Sequence, residues 1–329
     1  MKQSAAVRPE ATFHRKAAVA YGAALDHTGK VHIKGIPDFD LDRTIFQTLE
    51  GTLARYVMRK RVAKEVFWAD SAASTVQKAY DAIRTENDLP SVDPDLVQFL
   101  VDECDFDVEH ADGSFLDHLY FGFEYTAQHY PQHSPLVMLL HSILGTGTNT
   151  FAMEAAKIPA LEKLMTPFEW RQTEAFPTVL RLLYAGDLRR ELQENAGRAS
   201  TLQSVCMHRV IDNAPIEMSG EDFWIAMNYQ LIHLIDFLPV ANWSAHQSDT
   251  SFILFRHLYA LMQSAGELVA HIDYTPASGS VALQGEAGGF GGWLTTKIPV
   301  SLAERMASKS VRTFSERIGH SLDYTLVWG

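Results

Sequence analysis

Apolar residues recur at helical spacing over most of the chain, and polar start and stop signals divide them into elements. The clearest stripe is Ser251 to about His271, where Phe252, Phe255, Leu258, Tyr259 and Met262 fall at core positions. Ser114-Phe-Leu-Asp117 resembles a capping box and predicts a helix from Phe115 to about His129. Ser134-Pro135 predicts a second, ending at Gly145, because proline is tolerated at the first helical position. Thr166-Pro-Phe-Glu169 combines both signals and predicts a helix stopping near Gly186. Ser219-Gly-Glu-Asp222 starts another, which Pro239 ends.

The flanks read differently. Near the N-terminus, Val19–Leu25 and Lys30–Ile36 surround Asp26-His-Thr-Gly29 as a possible hairpin. A helical stretch follows from about Leu41 to Arg84, with Arg55, Arg59, Lys60, Arg61 and Lys64 as a solvated face. At the other end, glycines crowd Gly285–Gly292, then a helix is expected over about Ser301–Ile318 and a short strand at the end. The glycine cluster has neither the ending of a phosphate loop nor dinucleotide-binding spacing, so it reads as a loop, with a lid over a site as the sharper option. The expected fold is mostly α: residues 1–90 as an N-terminal segment, 91–275 as a helical domain, and 276–329 as a C-terminal segment on the core. Some β structure is expected in both flanks.

Composition narrows the function. Across 329 residues, 28 Lys and Arg face 40 Asp and Glu, a net charge of −12. An acidic chain lacks the footprint of a general nucleic-acid binder and is repelled by anionic membranes. Two cysteines, Cys104 and Cys206, build neither a disulfide framework nor a cysteine zinc site. No segment approaches the roughly 18 apolar residues of a membrane span, and no signal-peptide pattern is present. The expectation is a cytoplasmic protein acting on a small molecule.

Ten of the fourteen histidines lie between His110 and His271. His118 falls on the first turn of its helix, and His141 follows the apolar run Leu136–Leu140. Two antiparallel helices would turn these residues toward each other. Asp236 is bounded by Ile235, Phe237 and Leu238, where a carboxylate is costly unless it is paired or binds a cation. His233 lies three residues earlier on the same helix face. Plainer roles exist for each. His118 fits an ordinary helix start, His141 a core histidine bonded to a carbonyl, and Asp236 a cap or a partner of Arg181 or Arg256. The chain has no nucleophile elbow, and Pro131 separates His129 from His133, which removes zinc-protease spacing.

A His-bearing helix, an apolar helix ending Leu-Leu-His141-Ser-Ile-Leu-Gly145, and a distant Asp in an apolar helix together resemble the HD-domain superfamily of helical metal proteins. The likeness covers about residues 110–240. The longer string His141-Ser-Ile-Leu-Gly-Thr-Gly-Thr-Asn-Thr-Phe151 is similar to a subgroup reading His-Ser where the family reads His-Asp. The resemblance implies an HD-like helical core with His118, His141 and Asp236 as metal ligands. It also implies two chemistries, phosphoester hydrolysis and oxygen-dependent oxidation by an iron pair. Ser142 stands where the family has the Asp that binds, and in two-metal members bridges, the ions. A neutral hydroxyl is a poor replacement.

Around these three, His110 is a candidate extra ligand or general base, and Glu174 a candidate catalytic group. Glu169 could complete a coordination sphere but is better explained as a cap. Ser142, Thr146, Arg181 and His233 are candidate substrate contacts, with Arg171, Arg189 and Arg190 as further sources of a basic pocket. Nitrogen and oxygen ligands favour Fe or Mn over Zn. The alternative from another class is a metal-free HD-like scaffold that binds a small molecule or partner without catalysis, and Ser142 is the feature favouring it.

Overall fold

The computed structural model describes residue 52 and residues 90–103, 109–110, 113–145, 153–237, 248–272 and 297–329. The N-terminal hairpin, nearly all of the 41–84 helix, Thr146 and the Gly285–Gly292 loop lie outside the described residues.

The described chain is mostly helical with small β segments. Helix α1 (Pro94–Glu103) precedes a two-residue pair, β1 (Glu109–His110) and β2 (Gly113–Ser114). Then come α2 (Phe115–His129), α3 (Leu136–Leu140), α4 (Ile158–Glu162), α5 (Pro167–Ala185) and α6 (Asp187–Glu194). A hairpin of β3 (Leu202–His208) and β4 (Pro215–Ser219) leads into α7 (Gly220–Ile235). Helices α8 (Thr250–Ala265) and α9 (Val300–Ile318) and strand β5 (Thr325–Trp328) complete it.

The end signals work as their chemistry requires. Thr166 and Glu169 form the reciprocal capping box of α5, and Gly186, at φ +93°, ends that helix. The Ser219 hydroxyl accepts from the Asp222 N–H at the start of α7. Two helices are shorter than expected. After α3 the chain tightens into i→i+3 turns, Leu140 to Ile143 and Ser142 to Gly145, so His141 lies in a turn and not mid-helix. Helix α8 stops at Ala265 because Gly266 turns left-handed at φ +74°.

The hairpin interrupts the stretch that reads as all helix. Its strands alternate, burying Val205 and Met207 on β3 and Ile216 and Met218 on β4. Asn213 takes the left-handed turn position at φ +59°. β5 pairs antiparallel with the other edge of β3, giving the order β4-β3-β5. The sheet packs on α7 so closely that a Cβ on Gly220 would lie 1.8 Å from the Leu202 carbonyl oxygen.

Two apolar clusters fill the interior. The larger joins α2, α5, α7, α8 and the sheet, and the smaller joins α1, α2, α3, α4 and Trp170. Helix α2 serves both, with Phe121 and Tyr125 in one and Leu119 and Phe123 in the other. Helix α3 divides likewise between Val137-Met138 and Leu139-Leu140. Residues buried at the seam of these clusters include His118 and His141.

Gly220→Ala should destabilise the protein by on the order of 3 kcal/mol or prevent folding, because backbone must move to admit the methyl group. Gly197→Ala, with nothing near its Cβ position, should stay within about 0.5 kcal/mol. Urea unfolding of both variants checks this.

Buried His320 and partly buried His129 set a response to acid. His320 donates from Nε2 to the His208 carbonyl, and burial lowers its pKa to about 4. Burial, with neighbouring His271, lowers His129 to about 4 as well. Between about pH 6.5 and 4 the unfolded chain binds more protons, so stability should fall as pH falls through that window. For His320 the expected loss is about 2 kcal/mol from pH 7.5 to 5. Urea midpoints across that range should drop in the wild type, and His320→Gln should flatten the slope.

Candidate metal centre

Three elements carry the site. α2 supplies His118 from its first turn, the turn after α3 supplies His141, and the last turn of α7 supplies His233 and then Asp236 as its C-cap. As whole residues, His118 and His141 are 2% exposed, Asp236 1% and His233 9%. Four polar side chains are therefore removed from water together, which requires that they satisfy one another or a ligand.

Their hydrogen bonds fix which ring atoms face inward. His141 Nδ1 lies 2.7 Å from the Met138 carbonyl oxygen, which can only accept, so Nδ1 carries the proton and Nε2 holds a lone pair. His118 Nδ1 lies 2.5 Å from Asp236 Oδ2, leaving its Nε2 to point the other way. The two Nε2 atoms meet at 3.1 Å. Ring centroids of His233 lie 5.2 Å from His118 and 4.7 Å from His141. One ligand nitrogen from each of His118, His141 and His233 falls within 4.8 Å of the others, so the three could hold a metal ion. Nitrogens bound to one tetrahedral ion at about 2.1 Å stand roughly 3.4 Å apart. The His118–His141 pair is near that spacing, and the His233 nitrogen lies within 4.8 Å of both. The donor set fits a divalent metal.

Aromatic rings wall the trio. Phe176 of α5 packs on His141 and His233, with centroids at 4.8 and 5.3 Å. Phe237 packs on His118 and His233, both at 5.1 Å. The approach of α5 depends on Pro177, which has no N–H to donate to Thr173, and on Gln230, whose amide donates to the Phe176 carbonyl at 3.0 Å. Gly122 lets α3 close on α2, since a Cβ there would meet Met138 at 2.8 Å.

The remaining expected residues divide. Ser142 is buried beside His141 and cannot offer the charge of a carboxylate. His110 pairs with Gly113 in the β1–β2 ladder just before α2. Glu174 stands elsewhere. Two residues from Phe176, it falls on the opposite face of α5, ion-paired with Arg171 at 3.0 Å and Arg209 at 2.8 Å. Burial raises its pKa against the pull of both arginines. Arg181 lies fully buried against α9, donating to Ser315 Oγ at 3.3 Å with its guanidinium 5.0 Å from the centre of the Phe314 ring. Burial brings its pKa down to about 10. Arg189 pairs with Glu304, and Arg190 with Asp187. Glu169 caps α5 and also accepts from the Ser134 hydroxyl at 2.6 Å, tying α5 to the approach of α3. The arginines expected to form one basic pocket are thus spread among separate contacts.

Sequence reasoning gives His233 as a substrate contact, and the structure sets its ring beside His118 and His141. The spacing of His233 and Asp236 on one helix face carried the signal that they act together. Phe176 and Phe237 had no local signal, because an aromatic residue in an apolar helix looks the same wherever it packs.

No family model matches the chain, and no curated protein and no solved structure matches it. The chemistry of this centre therefore rests on its own geometry.

Glu174→Gln should lower stability by about 1–3 kcal/mol, since it leaves the Arg209 charge under-compensated in a half-buried setting. The metal content of that variant should equal wild type. Urea unfolding and elemental analysis of the same sample check both halves, and loss of metal would return Glu174 to the centre.

Proposed function

We propose that the protein is an HD-like, metal-dependent enzyme that acts on a small molecule through a single divalent ion at His118, His141 and His233. The observation that supports this most is the convergence of three buried imidazoles from three elements, two of them with Nε2 atoms 3.1 Å apart. An ion there would supply Lewis acidity, to activate water or, as iron, to engage dioxygen. The chain's own part is to hold the rings. Asp236 and the Met138 carbonyl orient two of them, and Phe176 and Phe237 keep bulk water from their faces.

Between the two chemistries, the surroundings favour oxidation of a weakly charged substrate over hydrolysis of a phosphorylated one. The described arginines once candidates for a phosphate pocket are engaged with Glu174, Ser315, Glu304 and Asp187. Ser142 in place of a bridging carboxylate favours one ion over two. Iron is the metal of this reading, and a cytoplasmic location is part of the proposal; separately, no helix among the described residues is long and apolar enough to cross a membrane.

A second reading has one observation behind it. His118 Nε2 and His141 Nε2 are close enough to share a proton directly, which would close the trio without an ion. The protein would then be a metal-free HD-like scaffold that binds a small molecule or partner.

Elemental analysis of protein purified without chelators or a histidine tag separates the two. The enzyme reading expects about one equivalent of metal, lost in His141→Ala with helix content retained. Absence of metal after reconstitution with Fe, Mn and Zn would leave the scaffold.

A further inference from the structure

We propose that Asp236 is not a ligand of the ion but the outer carboxylate of a three-imidazole centre, and that His233 takes the coordination position the HD resemblance gives to Asp236. The inference rests on the metal-centre reading above and assigns the roles within it.

The geometry separates the two residues of α7. Asp236 Oδ2 meets His118 at Nδ1, at 2.5 Å, and His118 meets His141 at Nε2. The whole imidazole ring of His118 therefore stands between this carboxylate oxygen and the place where the Nε2 atoms converge. An ion bonded to His118 Nε2 at about 2.1 Å would lie on the far side of the ring from Asp236 Oδ2. His233, one turn earlier, has its ring against both His118 and His141 with no ring between. The two side chains share one helix face but reach different sides of His118, one behind it and one beside it.

The contact at Nδ1 has a defined task. A carboxylate there fixes the tautomer that presents the Nε2 lone pair, orients the ring, and raises the ring's basicity as a ligand. His141 receives the same orientation from a neutral partner, the Met138 carbonyl. The result is a shell of three neutral imidazoles backed by one carboxylate. Such a shell suits Fe, Zn, Cu or Ni, whereas Mn prefers oxygen ligands, so of the expected Fe or Mn it favours Fe.

Cobalt(II) titration of the full-length apo-protein, followed by visible absorption, tests the assignment without reference to activity. Wild type should bind one equivalent with an intense ligand-field spectrum. Asp236→Asn should still bind one equivalent with band positions little changed and affinity about 10- to 100-fold weaker. Asp236→Glu, which keeps a carboxylate, should recover part of that loss. His233→Ala should shift the bands and lose affinity more severely. The assignment is overturned if Asp236→Asn abolishes binding while His233→Ala binds as wild type. X-ray absorption of the cobalt wild type decides the matter if a variant fails to fold: three imidazole shells are expected, and two imidazoles with a carboxylate would overturn the proposal. If wild type binds no cobalt, the metal-centre reading itself fails, and the role given to Asp236 fails with it.

Discussion

The imidazole of His118 is held at both ends, and the surrounding structure is arranged to hold it. Its Nδ1 is taken by Asp236 and its Nε2 faces His141. None of these groups is near water, so each needs the others to offset the cost of burial. The constraint reaches well beyond the contact. α2 must bury two faces at once, α3 must end where His141 can turn back to the Met138 carbonyl, and α7 must finish at Asp236. A shift of any of these helices by one residue would rotate its functional side chain by about 100° and break the set.

The rest of the fold supplies the bracing. α5 crosses the site with Phe176 on two of the rings, and its start is locked by Thr166, Glu169 and Ser134. Gln230 bonds the backbone of α5 beside Pro177, where the helix lacks one of its own hydrogen bonds. The opposite face of α5 is held by Glu174 between two arginines. The three-stranded sheet then closes over α7, with Gly220 allowing backbone contact. Glu169, Gln230 and Glu174 thus help to fix α5 and its contact with α7.

What could be read in the sequence follows the range of the interaction. Helix ends are local, and Ser114, Thr166, Gly186 and Ser219 mark them well. The residues of the centre were legible because His118, His141, His233 and Asp236 are polar groups in apolar helices, and such groups need partners. Which partner each takes depends on the packing of three helices and was not legible. Asp236 reads as a metal ligand in the sequence, and its contact with His118 Nδ1 follows only from the packing of α7 on α2. The contacts of Glu174 with Arg209 and of Arg181 with Ser315 join distant parts of the chain and leave no local trace. The hairpin at 202–219 is not legible in the sequence because short strands between strong helices carry few residues of alternation. The N-terminal 89 residues and the glycine loop, apart from Thr52, lie outside the described residues.

The claim that three histidines from three elements form one metal centre is tested most directly by a crystal structure of the metal-loaded protein with anomalous data at the metal edge. The account predicts one anomalous peak about 2.0–2.3 Å from nitrogens of His118, His141 and His233, with Asp236 hydrogen-bonded behind His118. A peak ligated by Asp236 with His233 turned away would contradict the assignment of ligands. A loaded crystal with no peak among these rings would contradict the centre itself.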